Sequence, residues 1–481
     1  MSETVLVTGG TGVVGRPLVD RLVRSGKHVV VLSRGRTGCG RNLLPNAESL
    51  SGDVSLPDLG IGSSAYEKLC RTVRTVYHLA ARTDFKGRDV HDYQLVNIDG
   101  VRHMHAFALR AQAHLHHVST AFVCGGQHGL VQEDDPADSD TAFRNGYEKS
   151  KFLAEQYLLR QAKQHGTRLT IYRPSIILER NPNPASVKRF GPFVFLDAIF
   201  RILVSPAYQN RSNKPIRVAG NKHCHLPFIF DDDVAEALFR ISQRQEQDDS
   251  GLIYHLVCKK SFANGALEDI CNRAFGGNVA TMVDVASFRE LPRSRVEEIL
   301  ARKTAMYAPY LDLTVEFDRQ RLDEMMGRDF CVEVTEDELL QAFSLFLAAK
   351  GKKTVQTGDS DGIERYFSEF LPAIIGRRLV PNLMSLSCVF WIQVDGVACR
   401  SLVVRDGCLE EIKVGRRGEF GYSVSPHVFM EVICGRLSPQ QGFFDGNITL
   451  EGSNIDALKT AVALEEFFHK RPFGSLEEKL I

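Results

Sequence analysis

Apolar and polar positions alternate in two different rhythms along this chain, and the switching between them predicts most of its elements. Val5-Leu6-Val7 is a short unbroken apolar run, as expected of a strand buried on both faces. A glycine-punctuated turn follows, and apolar residues then recur at helical spacing from Arg16 to Ser25. The same alternation continues with strands at His28–Leu32, Thr75–Ala80, His116–Val123 and Arg168–Tyr172, and helices at Tyr93–Ala111 and Tyr147–His165. Short apolar strands separated by amphipathic helices predict an α/β fold with a doubly wound parallel sheet, the Rossmann arrangement. From Asn181 to about Ala349 the rhythm is less regular, which suits a substrate lobe built onto a nucleotide domain.

Near residue 350 the pattern changes. Residues 351–362 carry three glycines and no apolar period, so they read as a linker between a first domain at 1–350 and a second at 363–481. Beyond it come strand signals at Val389–Val394, Ser401–Val404, Glu411–Val414 and Asn447–Glu451. Helix signals lie at Pro426–Cys434, after Ser438-Pro439 and at Asn454–His469, so the second domain is expected to be α+β.

Composition narrows the partners. With 59 basic and 59 acidic residues the formal charge is zero, which argues against a nucleic-acid partner. The apolar run Phe190–Val204 is interrupted by Pro192, Asp197 and Arg201 and is too short to span a bilayer; it reads as the lining of an acyl channel, a peripheral membrane contact or a buried lobe helix. No leader is read at the N-terminus, and eleven cysteines stand without a C-x-x-C pair, so reduced thiols in a cytoplasmic protein are expected. Histidines cluster at 103/105, 114/116/117 and 223/225 without zinc-ligand spacing and are read as surface or structural; no metal is expected.

The candidate chemistry begins at Gly9-Gly10-Thr11-Gly12-Val13-Val14-Gly15. Gly9 permits the tight turn, Gly12 lets backbone approach a pyrophosphate, and Gly15 lets helix and strand pack closely. Free N–H groups from Thr11 to Gly15 at the helix start would face the anion. At the end of the second strand, Leu32-Ser33-Arg34-Gly35-Arg36 has no acid for a ribose diol but two guanidiniums for a 2′-phosphate. That favours NADP(H) over NAD(H), with Ser33, Arg34 and Arg36 as contacts. Tyr147 and Lys151, four apart on a helix, share a face. An ammonium beside a phenol is expected to lower its pKa and fit it for proton transfer. Ser119 and Thr120, at the end of the preceding strand, offer hydroxyls to a substrate carbonyl.

These residues, with Gly52-Asp53, Tyr77-His78-Leu79-Ala80-Ala81, Val96-Asn97-Ile98 and Tyr172-Arg173-Pro174-Ser175, resemble an extended short-chain dehydrogenase/reductase of the thioester-reductase and fatty-acyl-CoA-reductase (male sterility) branch. The resemblance spans about residues 3 to 350 and is strongest to 180. It implies that Tyr147 donates the proton and that Lys151 holds the nicotinamide ribose. Thr120 would polarise the carbonyl, with Ser119 as its substitute, and Asn97 would support a proton relay through a backbone distortion. Asp53 would meet the adenine, Ala80 and Ala81 would pass beneath the cofactor, and Pro174 would border the nicotinamide.

The segment from Phe429 to Gly452, with Gly435-Arg436-Leu437-Ser438-Pro439-Gln440-Gln441-Gly442-Phe443 at its centre, resembles a sterol-carrier-protein-2 type lipid-binding domain. Gly442 stands where that family usually has alanine. This resemblance implies an apolar tunnel for an acyl chain or sterol; packing of Phe390, Trp391, Phe443, Phe444 and Phe467 as an ordinary core is the alternative. Together the two parts predict an NADPH-dependent reductase of a hydrophobic acyl thioester, coenzyme A- or carrier-bound, with a tethered lipid-binding module. The alternatives are an NADP-dependent dehydrogenase of a secondary alcohol such as a 3β-hydroxysteroid, and an NADP(H)-responsive lipid-transfer protein.

Overall fold

A computed structural model describes residues 3–35, 46–85, 87, 89–134, 141–181, 191–203, 214–244, 252–354, 362–379, 386–395, 397–435, 437–444 and 446–470. The chain divides into two compact units, one of residues 1–199 and 214–345, the other of 200–213 and 346–481.

The first unit is organised by seven parallel strands: β1 (Thr4–Thr8), β2 (His28–Ser33), β3 (Glu48–Ser51), β4 (Val73–His78), β5 (His114–Val118), β6 (Leu169–Pro174) and β7 (Leu252–Leu256). Their order is β7-β6-β5-β4-β1-β2-β3, and every neighbouring pair is parallel. The chain thus winds outward from β1 in one direction and then returns to wind in the other. Between β1 and β4 the connections diverge to opposite sides, which opens a crevice at the strands' C-terminal ends. Val5, Leu6 and Val7 are almost wholly inaccessible, as their central place requires.

Helix α1 (Gly15–Arg24) presents Leu18, Val19 and Leu22 to the sheet. Two glycines allow its approach. A Cβ on Gly15 would stand 2.2 Å from the Gly9 carbonyl oxygen, and one on Gly9, whose φ is +72°, would stand 2.7 Å from the Ala80 nitrogen. Ser63–Thr72 forms α2, Gly100–Ala111 forms α3 and Gly146–His165 forms α4. Asn145 caps α4 by accepting from the Glu148 N–H at 3.0 Å, and Gly166, with φ +65°, ends it.

Three expectations need correction. The strand expected over His116–Val123 stops at Val118, because Thr120 caps a short 3₁₀ turn over Ala121–Cys124. The helix expected over Tyr93–Ala111 is α-helical only from Gly100; Gln94–Asp99 is a wide π turn. The segment 351–362 is not wholly a linker at its start, since a helix spans Glu336–Thr354; residues 355–361 lie outside the described residues. The apolar run near 190 forms α5 (Pro192–Leu203), and no helix among the described residues is long and apolar enough to cross a membrane.

The second unit has a five-stranded sheet of β8 (Cys388–Val394), β9 (Ala398–Arg405), β10 (Cys408–Val414), β11 (Phe420–Val424) and β12 (Ile448–Gly452), in the order β10-β9-β8-β11-β12. Only the β8/β11 pair is parallel. Helices Pro426–Ile433, Pro439–Phe444 and Asn454–Lys470 accompany it, and the core joins Phe390, Phe420, Phe429, Ile433, Leu464 and Phe467. Gly421 is needed beside Trp391: a Cβ there would lie 2.1 Å from the indole. The Arg416 guanidinium covers that ring from 4.1 Å. An apolar cavity of about 60 Å³ lies between sheet and helices, bordered by Phe390, Tyr422, Val432 and Phe443.

Candidate active site

A cavity of about 460 Å³ opens in the first unit where the strand order reverses. The turn after β1 brings Gly9, Thr11, Gly12, Val13, Val14 and Gly15 to one end of it. The Gly12 N–H donates to the Gly9 carbonyl at 2.9 Å, and Val14 at the helix start offers no side-chain cap. The Arg16 N–H is taken by the Gly12 carbonyl at 3.1 Å, so the N–H groups of Val13, Val14 and Gly15 are the ones that keep their capacity to donate to an anion. Ser33 ends β2 and Arg34 follows it along the same wall, with Asp53 after β3 and Ala80 and Ala81 after β4. Asp53 holds its own loop, accepting from the Ser55 N–H and hydroxyl at 2.9 and 2.7 Å. Arg36 lies outside the described residues. A backbone cradle with glycines that no Cβ could replace, ending on uncapped N–H groups, fits a dinucleotide.

The middle of the cavity is walled by Ser119, Thr120, Tyr147, Lys151 and Pro174. Lys151 reaches from α4 to the β5 end, where its Nζ donates to the Val118 carbonyl at 2.7 Å. Burial pushes its ammonium down to about 8, with Glu155 opposing. The Tyr147 ring packs against Phe85 and Tyr93, with centroids at 5.6 and 6.3 Å. The expectation of a lowered phenol pKa is reversed. Burial raises it, Glu148 and Tyr93 raise it further, and the Lys151 ammonium is engaged by Val118 rather than by the phenol. Tyr147 is consequently held protonated, the form that a proton donor needs.

The two hydroxyls after β5 differ. Thr120 Oγ1 accepts weakly from the Phe122 N–H at 3.4 Å as the cap of the following turn. Ser119 is also buried, and its Oγ has no partner among the described residues. Asn97 does not line the cavity. Its side chain accepts from the Arg82 N–H at 2.7 Å, donates to the Arg82 carbonyl at 3.1 Å and donates to Ser150 Oγ at 2.9 Å. It thus ties the segment after β4 to α4 from within the π turn, a positioning role.

Several site residues were missed in the sequence. Beyond Tyr147 the cavity continues between Ile177, Phe195, Leu196, Ile199, Phe228, Leu267 and Met282, a largely apolar stretch. Tyr307 and Tyr310 stand over the middle of the site, with Phe85 against both at 4.9 and 5.7 Å. These residues come from seven separate segments and carry no short motif; only the apolar run at 190–204 signalled any of them. Arg173, part of the quoted Tyr-Arg-Pro-Ser run, forms a buried pair with Glu155 of α4 at 2.8 Å, which fixes α4 on β6. Of the histidines, His78 is pushed down to about 3 by burial, and its Nδ1 lies 2.7 Å from Thr8 Oγ1. His114 and His116 stack at 4.1 Å within the sheet. These are buried, uncharged side chains.

The NAD-binding family model described as "Male sterility protein" matches residues 7–219. Curated relatives include the hybrid PKS-NRPS synthetase phm1 of Pyrenochaetopsis sp, 28% identical over 176 residues, and the hybrid PKS-NRPS synthetase pvhA of Talaromyces variabilis, 30% identical over 179. Each match takes in 36% of this chain and 4% of the synthetase, so the chain spans a small fraction of those relatives. Among solved structures, the terminal R domain from the myxalamid PKS-NRPS biosynthetic pathway is similar at 21% identity and a TM-score of 0.57, covering 73% of this chain and 91% of that one. UDP-glucose 4-epimerase of Thermotoga maritima is similar at 16% identity and a TM-score of 0.52, covering 73% and 100%. Both likenesses show the parallel-sheet, Rossmann-like α/β fold. Residues 7–219 thus match an NAD-binding family model on a parallel-sheet fold, and the cavity there brings the glycine cradle together with Tyr147 and Lys151.

Proposed function

We propose that this protein is an NADPH-dependent reductase of hydrophobic acyl thioesters. The observation that carries the reading is the single cavity in which a dinucleotide cradle, a protonated Tyr147 and an apolar stretch follow one another. When bound, the reduced nicotinamide supplies the hydride. Gly9 to Gly15 and Asp53 hold the dinucleotide, Arg34 receives the 2′-phosphate, and Lys151 meets the ribose hydroxyls. Ser119 Oγ, unpartnered and buried, donates to the thioester oxygen together with Thr120. Tyr147 then gives its proton to that oxygen as charge develops there. Collapse of the resulting hemithioacetal yields an aldehyde and a free thiol. The apolar stretch from Ile177 to Met282 receives the acyl tail, each buried methylene contributing roughly 0.8 kcal/mol. The likeness to carrier-linked synthetase segments favours a thioester presented on a carrier arm over a free ketone.

The second unit, by its Phe429–Gly452 segment, is a lipid-binding module of the sterol-carrier type in this reading, linked so that handover is intramolecular. Its apolar cavity of about 60 Å³ must widen to take an acyl chain.

The test is a substrate panel: acyl-coenzyme A and acyl-carrier thioesters beside ketosteroids, each with NADPH. Thiol release matched to NADPH consumption supports the proposal. Turnover of ketosteroids without any thioester turnover refutes it in favour of the dehydrogenase reading.

A further inference from the structure

Outside the cavity, two cysteines far apart in sequence face each other at close range. The sulfurs of Cys258 and Cys331 are 3.0 Å apart across 73 residues. Cys258 lies two residues beyond β7 and is buried, whereas Cys331 is partly exposed. Their segments are aligned by backbone bonds: the Lys259 N–H donates to the Cys331 carbonyl at 3.1 Å, and the Lys260 N–H to the Val332 carbonyl at 2.9 Å. The Arg319 guanidinium fastens both sides, donating to the carbonyls of Val257, Phe330 and Cys331 at 2.7, 2.7 and 2.9 Å. Cys331 is held at φ +53°, a left-handed conformation uncommon for a residue other than glycine or asparagine. Clamped backbone on both sides and an outlying φ together keep one thiol against the other.

We propose that Cys258 and Cys331 form a reversible disulfide, closed by a low-molecular-weight disulfide such as glutathione disulfide. The more exposed Cys331 thiolate attacks the oxidant, forming a mixed disulfide and releasing one glutathione thiolate. The Cys258 thiolate then attacks the Cys331 sulfur, and the second glutathione leaves as thiolate. The two cysteine protons pass to the two released glutathiones, so the dithiol is oxidised and glutathione disulfide reduced. The neighbouring Cys258 thiol, burial and Asp233 hold the Cys331 thiol up, with Arg319 opposing, so closure is slow at neutral pH and faster above it.

The bond would tie the exit of β7 to the loop ahead of helix Glu336–Thr354. That exit borders the cavity wall: the Leu256 carbonyl accepts from the Ser175 N–H at 3.1 Å, and Ser175, Ile176 and Ile177 line the cavity. Oxidation would therefore stiffen the substrate wall without touching Tyr147.

The experiment is peptide mapping of the full chain after incubation with glutathione disulfide, alkylation of remaining thiols and digestion without reductant. The expected product is a cross-linked pair of peptides holding Cys258 and Cys331, two hydrogens lighter than their sum and released by dithiothreitol. Its disappearance in Cys331→Ser, with Cys258 recovered alkylated, would agree. Recovery of both cysteines alkylated, or each as its own glutathione adduct, in folded wild-type chain would overturn the proposal. Wild-type mapping alone decides the matter should the variant fail to fold.

Discussion

The Tyr310 hydroxyl donates to Glu148 Oε1 at 2.5 Å, joining the 3₁₀ turn Ala308–Asp312 to the residue next to Tyr147. Glu148 is wholly buried, and the Arg144 N–H also serves it, at 2.9 Å. Asn145 Nδ2 donates in turn to the Tyr310 hydroxyl at 2.9 Å. The roof over the phenol is thereby fixed to the start of α4. Tyr310→Phe keeps the ring but leaves a buried carboxylate one donor short, a loss of about 1–3 kcal/mol. The expected result is a roughly tenfold fall in kcat/KM, equivalent to about 1.4 kcal/mol, with NADPH affinity unchanged. Steady-state kinetics and a cofactor titration measure the two; an equal loss in cofactor binding would contradict this placement.

Tyr147→Phe removes the proposed proton donor and should lower kcat by at least about 100-fold while cofactor binding persists. Stopped-flow absorbance of NADPH decides it. Undiminished turnover would remove Tyr147 from the chemistry.

Lys151 predicts a pH dependence. Its ammonium, pushed down to about 8, should lose its proton as pH rises through that value, and reductase activity should fall with it. Stability moves the opposite way. Because the folded value lies below lysine's ordinary 10.5, the unfolded chain binds more protons between them, so this group's contribution to stability grows from about pH 8 to 10.5. Activity and thermal melts of the cofactor-free chain, recorded across that window with Lys151→Met as control, check both signs.

Arg34→Ala should weaken NADPH binding about tenfold and leave NADH binding unchanged, through loss of a charge-assisted bond to the 2′-phosphate. Equal affinities in variant and wild type would undo the cofactor assignment. Gly15→Ala should be harsher, because its Cβ would stand 2.2 Å from the Gly9 oxygen. Loss of NADPH binding by about 100-fold or more, or loss of the fold by circular dichroism, is expected.

The proposed role of the tail is tested by ending the chain after residue 358. KM should rise more for long acyl chains than for short ones; a uniform change would deny acyl delivery by the second unit.

Much of the nucleotide half was legible in the sequence because its determinants are local. The Gly9–Gly15 turn must follow a buried strand, and Tyr147 and Lys151 must share a helical face; neighbours in sequence set both. The phenol's ionisation was misjudged for the opposite reason. It depends on burial by Phe85 and Tyr93 and on where Lys151 Nζ is bonded, none of which spacing records. The Ser119–Thr120 strand end was overrun because a side-chain cap outweighed the apolar run Ala121-Phe122-Val123 after it. Tyr307, Tyr310 and the apolar lining were illegible since they converge from distant segments.

One residue too many in the helix after β4 has a mechanical consequence. Each residue of an α-helix advances it by about 100°, so the wide turn at Gln94–Asp99 sets the phase between the cavity-side segment and α3. Deleting a single residue there would regularise the coil, swing the Asn97 amide off the Arg82 backbone and release Ser150, shifting α4 from a distance while every side chain that lines the cavity stayed in the chain.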